Sequence, residues 1–179
     1  LSVRLFARGI LVGLFGGTIV VLFRLCLEQA GYLLNKLYTL LPSLSPWYTI
    51  LWIVVLILVA RLLGALINRY PIISGSGIPQ VKAVVLSQIN MKWLPTVVWK
   101  FIGGVISIGF GLSLGREGPS IQLGAAAGQG VSRIFKGSSK FEEKILITSG
   151  ASAGLAAAFN APLAGIIFSL EEIHKNFSP

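Results

Sequence analysis

The sequence predicts an all-α integral membrane protein, and three observations carry that fold class. Of its 179 residues 54% are hydrophobic and only 12% charged, with a mean hydropathy of +0.82, whereas soluble domains carry about 25% charged residues. The apolar runs are continuous rather than alternating, which suits spanning helices and not barrel strands. Beyond residue 70, glycine and proline break the apolar sequence repeatedly, so helices stop and restart where lipid cannot satisfy loose backbone groups.

Residues 9 to about 37 form the first expected helix, apolar to Arg24 and amphipathic after it. Arg4 and Arg8 ahead of an apolar run look like a signal peptide. No small-residue cleavage site follows, and the polar residues Arg24 and Glu28 are wrong for one, so the helix is expected to be retained. Two prolines, Pro42 and Pro46, mark a loop over residues 41–46. Residues 47–67 form a second span, with Trp47, Tyr48 and Trp52 as interfacial anchors at its start. Arg4, Arg8, Arg61 and Arg69 gather on one side, with Lys36 alone in the intervening loop. The positive-inside rule then puts the N-terminus in the cytoplasm and the 40–46 loop outside, as in a multi-pass protein of the cell membrane.

After residue 70 the apolar segments are shorter. Pro79 opens a short helix ending near Ser87, residues 94–114 form an apolar helix, and another begins near Glu117 and runs to about Phe135. Gly137, Ser138 and Ser139 form a loop, and Glu142 and Glu143 suit the first turn of the next helix, which ends at Phe159. Pro162 restarts the chain for a last short helix over residues 163–173. One domain thus falls into three parts: two long helices over 1–70, half-helices over 71–135, and small-residue helices over 136–179. The tracts at 124–128 and 150–154 read as faces for close helix packing. The chain starts on leucine and ends just after a charged cluster, which suggests a fragment, a split gene product or a trimmed form.

Several functions are excluded by composition. The net charge of +9 comes from dispersed Lys and Arg residues flanking apolar runs, which is juxtamembrane charge and not a nucleic-acid surface. One cysteine, Cys26, one histidine, His174, and no aspartate leave no disulfide framework or zinc site within the chain, and no metal or other cofactor is expected. The tract Gly150, Ser152, Gly154 fits the spacing of a hydrolase elbow but sits in helical sequence, not in a strand–turn–helix setting, and the chain has no aspartate. No P-loop or dinucleotide pattern occurs, and no enzymatic activity is expected.

The chemistry concentrates at residues 113–120. Arg116 and Glu117 are flanked by uncharged stretches at 101–114 and 120–132. Gly115 and Gly118 allow a sharp turn and close approach. The N–H groups of Arg116, Glu117 and Gly118 would form the positive end of a helix and attract an anion. Ser76, at the start of the Pro79 half-helix, offers a hydroxyl and neighbouring N–H groups, with Gly77 beside it. Each residue also has an ordinary reading: Ser76 as an N-cap, Glu117 as a first-turn acid, Glu171 and Glu172 as a membrane exit. An ionisable group within the membrane beside a broken helix favours the functional reading. An ionised Glu117 is itself an anion and can fill a site built for a free one; protonated, it loses that attraction and can swing away.

Three segments together, Gly75-Ser76-Gly77-Ile78-Pro79, Gly115-Arg116-Glu117-Gly118-Pro119 and the tract from Gly154 through Asn160 and Pro162 to Gly165, resemble the CLC chloride channel and transporter family. The resemblance covers essentially the whole chain but only the first of the family's two inverted halves. It implies a CLC-type bundle of tilted and broken helices, with chloride as substrate and protons as the coupled ion. It further implies Ser76 as a central anion contact, Glu117 as the gating glutamate and Glu172 as the internal proton-transfer residue. A homodimer in the lipid bilayer, completed by the second half of the same protein, is the implied assembly. Serine at 76 resembles the chloride-preferring members, not those that prefer nitrate, and the fluoride branch departs from this pattern. Gln80 and Lys82 stand where some bacterial members have acids, so Lys82 and Lys100 either lack a partner found elsewhere or use a different one. The alternatives are a passive chloride channel, which generally lacks a carboxylate at the Glu172 position, and, for the isolated half, a structural module without transport of its own.

Overall fold

The computed structural model describes residues 3–43, 45–135 and 137–173, and no strand occurs among them. Seven α-helices follow one another: α1 (Val3–Leu40), α2 (Pro46–Arg69), α3 (Ile78–Val85), α4 (Trp93–Gly109), α5 (Glu117–Ile134), α6 (Lys140–Phe159) and α7 (Pro162–Phe168). Short 3₁₀ turns at Leu41–Ser43 and Pro71–Ile73 flank α2, and a widened π turn, Ser169–Ile173, follows α7.

α5 is the centre of the molecule. Every residue from Gly118 to Ser132 is buried, between α6, α1 and α4. Glycine permits this. A β-carbon on Gly124 would collide with the Gly150 carbonyl oxygen, one on Gly150 with that of Gly124, one on Gly128 with that of Leu146, and one on Gly154 with that of Ser120. The two small-residue tracts thus face each other across one α5–α6 seam, backbone on backbone. Around the seam lie two groups of larger side chains, one with Val81, Ile121, Ile147 and Leu155, the other with Val20, Phe23, Leu27 and Leu123.

α1 buries a single stripe, Leu5, Arg8, Val12, Gly16, Val20, Phe23 and Leu27, whose steps of three and four residues keep it on one helix face. It begins and ends beyond the expected 9–37, so Lys36 lies in the helix and not in the loop. Arg8 explains the early start. Its guanidinium donates to Ser138 Oγ (2.7 Å) and the Phe135 carbonyl (3.0 Å), while Arg4 donates to the Gly137 carbonyl (3.0 Å), tying α1 to the α5–α6 turn. α2 starts at Pro46, which costs no hydrogen bond in a first turn, and buries only Leu63. α1 and α2 are long and apolar enough to cross a membrane, and α4 is a shorter apolar helix.

The three expected breaks are present, with Pro79 and Pro162 within the first two residues of α3 and α7 and Pro119 in the first turn of α5. α4 departs from expectation by ending at Gly109 and not near Leu114. Gly111 adopts φ +91°, beside the Tyr38 hydroxyl, and no helix continues through that conformation. α6 opens with a reciprocal cap, Ser139 Oγ accepting from the Glu142 N–H and Glu142 Oε2 from the Ser139 N–H. It closes on Asn160 in the left-handed conformation, φ +55°.

A candidate anion site between two interrupted helices

The start of α5 lies directly against the loop that precedes α3. A β-carbon on Gly118 would collide with the Ser76 carbonyl oxygen, so glycine is what lets the two breaks meet. Between them opens a cavity of about 550 Å³. Ser76, Glu117, Gly118 and Lys100 are among its polar or backbone lining, and Leu63, Leu66 and Trp99 among its apolar walls.

The backbone at this cavity carries a surplus of donors. Among the described residues, the N–H groups of Gly75, Ser76, Gly77 and Ile78 have no hydrogen-bond acceptor, and neither do those of Gly115, Arg116, Glu117 and Gly118. Pro79 and Pro119 remove the next N–H in each break, and regular helical bonding then begins. Six of these free N–H groups belong to residues that line the cavity, Gly75, Ser76, Ile78, Gly115, Glu117 and Gly118. At two helix starts they attract an anion through hydrogen bonding and through the aligned helix dipoles. Glu117 forms no ion pair among the described residues, so its carboxylate is available at this positive end.

Of the residues singled out in the sequence, the structure brings together Ser76, Glu117 and Gly118. Ser76 is not the N-cap of α3: Gly77 holds that position at φ +96°, packed on Gln122, and no side chain caps the helix. Gly77 does not line the cavity, nor does Arg116. Arg116 contributes backbone, its carbonyl accepting the Ser120 N–H (3.2 Å) and Oγ (2.7 Å) while its own N–H stays free. Residues 111–117 are exposed, not enclosed as their place in apolar sequence suggests. Glu172 stands apart. It lies in the π turn and pairs with Lys82 at 3.1 Å, toward the other end of α3, which spans about 12 Å. Lys82 therefore has a partner, and it is the neighbouring acid Glu172.

Lys100 has partners too, and they are carbonyls. Its buried ammonium donates to Ile73 and Gly75 oxygens, each at 2.8 Å. Gln122, fully buried, donates to the Ile72 oxygen (2.7 Å), and Gln80 to that of Ser74 (2.9 Å). Sequence reading passed over Gln122. The available signal was a long amide in an uncharged helical stretch, which needs a partner when buried.

Together these features define a helical membrane protein whose interrupted helices bring unpaired backbone donors and a carboxylate without an ion pair among the described residues to one cavity. A family model described as "Voltage gated chloride channel" matches residues 59–179, and the chain belongs to that family. It is 38% identical over 173 residues to an H(+)/Cl(-) exchange transporter ClcA of Vibrio cholerae, and 36% identical over 170 residues to one of Klebsiella pneumoniae. The first alignment covers 94% of this chain and 36% of the relative, the second 93% and 35%. The chain thus spans little more than a third of the length of these curated relatives. Its fold superposes on the crystal structure of a slow cyanobacterial Cl-/H+ antiporter with a TM-score of 0.86 at 34% identity, covering 97% of this chain and 41% of that one. A CLC-type fluoride/proton antiporter matches with a TM-score of 0.72 at 23% identity over 94% of this chain and 39% of the other, a likeness of fold alone.

Proposed function

We propose that this chain forms one half of a chloride/proton exchanger of the cell membrane. Ser76 and the free N–H groups of both breaks bind chloride, Glu117 serves as the gate and Glu172 as the internal proton acceptor. The observation that carries the reading is the convergence of Ser76, Glu117 and the two donor-rich breaks on one cavity. The ionised Glu117 carboxylate and chloride are rivals for the same donors, since both are anions that accept N–H bonds. A proton removes the negative charge of Glu117 and with it the advantage over chloride, so proton arrival and chloride entry at the site are coupled. A second, inverted half of the same protein closes the open side at residues 111–117 and adds its own contacts.

The relatives' names supply the pairing of chloride with protons, and the serine at 76 favours chloride over nitrate. The test is Glu117→Gln in the full-length protein reconstituted in liposomes. Chloride flux persists and proton movement driven by a chloride gradient is lost; undiminished coupled proton transport would remove Glu117 from the gate. Uphill proton pumping by the unsubstituted protein separates exchange from passive conduction.

A further inference from the structure

Four consecutive carbonyls beside the cavity are taken up by side chains. Gln122 holds that of Ile72, Lys100 those of Ile73 and Gly75, and Gln80 that of Ser74. The next carbonyl, that of Ser76, lies against Gly118. The same few residues supply the unpaired donors, the N–H groups of Gly75, Ser76, Gly77 and Ile78. The loop is therefore sorted along its backbone: side-chain donors occupy the carbonyls of 72–75, the N–H groups of Ile73 and Ser74 bond back to Tyr70 and Pro71, and those of 75–78 are left unpaired.

That sorting is not built into the loop itself. Gly75 and Gly77 sit at φ +63° and +96°, and glycine has wide freedom at both peptide units flanking Ser76. A free carbonyl rotated toward the cavity would place a negative dipole end against an anion. Lys100 opposes that rotation directly, holding the Gly75 carbonyl with one of two charge-assisted bonds in a buried setting, while Gln80 and Gln122 hold the Ser74 and Ile72 carbonyls of the backbone that leads into it. Gln122 closes the arrangement sterically, since its side chain fills the space beside Gly77.

We propose that Gln122, Lys100 and Gln80 are positioning residues that set the selectivity of the anion site by clamping the carbonyls of the 72–75 loop. This rests on the reading of the cavity as a chloride site. Fixed donors favour a compact spherical ion, whereas a loop free to rotate adapts to a planar one such as nitrate. The clamp thereby favours chloride through rigidity, in addition to any attraction from the Lys100 charge.

The experiment measures chloride and nitrate affinity of the full-length protein by calorimetry, with amide hydrogen exchange over residues 75–78. Gln122→Leu keeps net charge and side-chain bulk while removing one clamp. The expected result is a drop of about fivefold in the chloride-to-nitrate affinity ratio and faster exchange in the loop. Lys100→Met lowers the ratio about tenfold, and Lys100→Arg, which still donates to both carbonyls, restores most of it. Should Gln122→Leu fail to fold, the part-buried Gln80→Leu gives the same readout at about twofold. Wild-type ratio and exchange rate in the neutral variants overturn the clamp, as does an equal loss of both anions in Lys100→Met, the mark of a charge acting through space. If the unsubstituted protein binds neither anion, the chloride-site reading fails first, and that result is distinct from a failure of the clamp.

Discussion

Gly118 and Ser76 touch through their backbones, 42 residues apart in sequence. A β-carbon built on Gly118 would meet the Ser76 carbonyl oxygen head on, with the carbonyl carbon at 2.8 Å and the Ser76 β-carbon at 2.9 Å. No flexible side chain is available to move aside, so the α5 start or the α3 loop must shift as a unit.

Gly118→Ala is therefore expected to damage function out of proportion to its size. Overpacking of this kind costs about 1–3 kcal/mol, and here the displaced groups are the donors themselves. Thermal unfolding should show a lowered midpoint, and chloride binding should fall at least tenfold. A variant with wild-type affinity would mean that the two breaks do not have to meet for the site to work.

Much of this was legible in the sequence, for physical reasons. The restarts at Pro79, Pro119 and Pro162 were readable because proline is tolerated in a first turn and breaks a helix interior. The tracts at 124–128 and 150–154 were readable as packing faces because clustered small residues have few other uses in a membrane, but not that the two meet each other across one α5–α6 seam. The end of α4 was not readable. The residues at 110–114 are as apolar as the helix before them, and only the positive φ of Gly111 beside Tyr38 stops it. The carbonyl clamp was hidden for a different reason: Lys100 and Gln122 act on a loop 25 to 50 residues earlier, and no local spacing encodes that.

The pair Lys82–Glu172 separates transport from stability. Both side chains are partly exposed, at 26% and 48%, and such pairs contribute about 0.5 kcal/mol. Glu172→Gln should leave the unfolding midpoint nearly unchanged. In liposomes it should stop coupled proton movement and spare chloride flux. Proton transport at the original rate would take Glu172 out of the pathway.

Ser139→Ala tests the α6 cap. The substitution removes the acceptor of the Glu142 N–H and half of a reciprocal pair. A loss of about 1 kcal/mol in stability is expected. Chloride affinity should not change, because the cap does not line the cavity. A shift in affinity would show that the α5–α6 turn communicates with the site.

The α5–α6 seam makes a sharper prediction, because its collisions are mutual. The β-carbon of an alanine at 124 runs into the Gly150 carbonyl, and that of an alanine at 150 into the Gly124 carbonyl. Either substitution alone must push the helices apart at the same crossing. Once they have separated, the second β-carbon enters space that the first has already opened. Gly124→Ala and Gly150→Ala are each expected to cost about 2 kcal/mol, and the double variant clearly less than their sum. A double-mutant cycle on unfolding free energy measures that shortfall as an interaction energy, at least 0.5 kcal/mol for residues in contact. Strict additivity would mean that each helix absorbs its own methyl group locally, and that the two backbones are not the rigid pair their glycines imply.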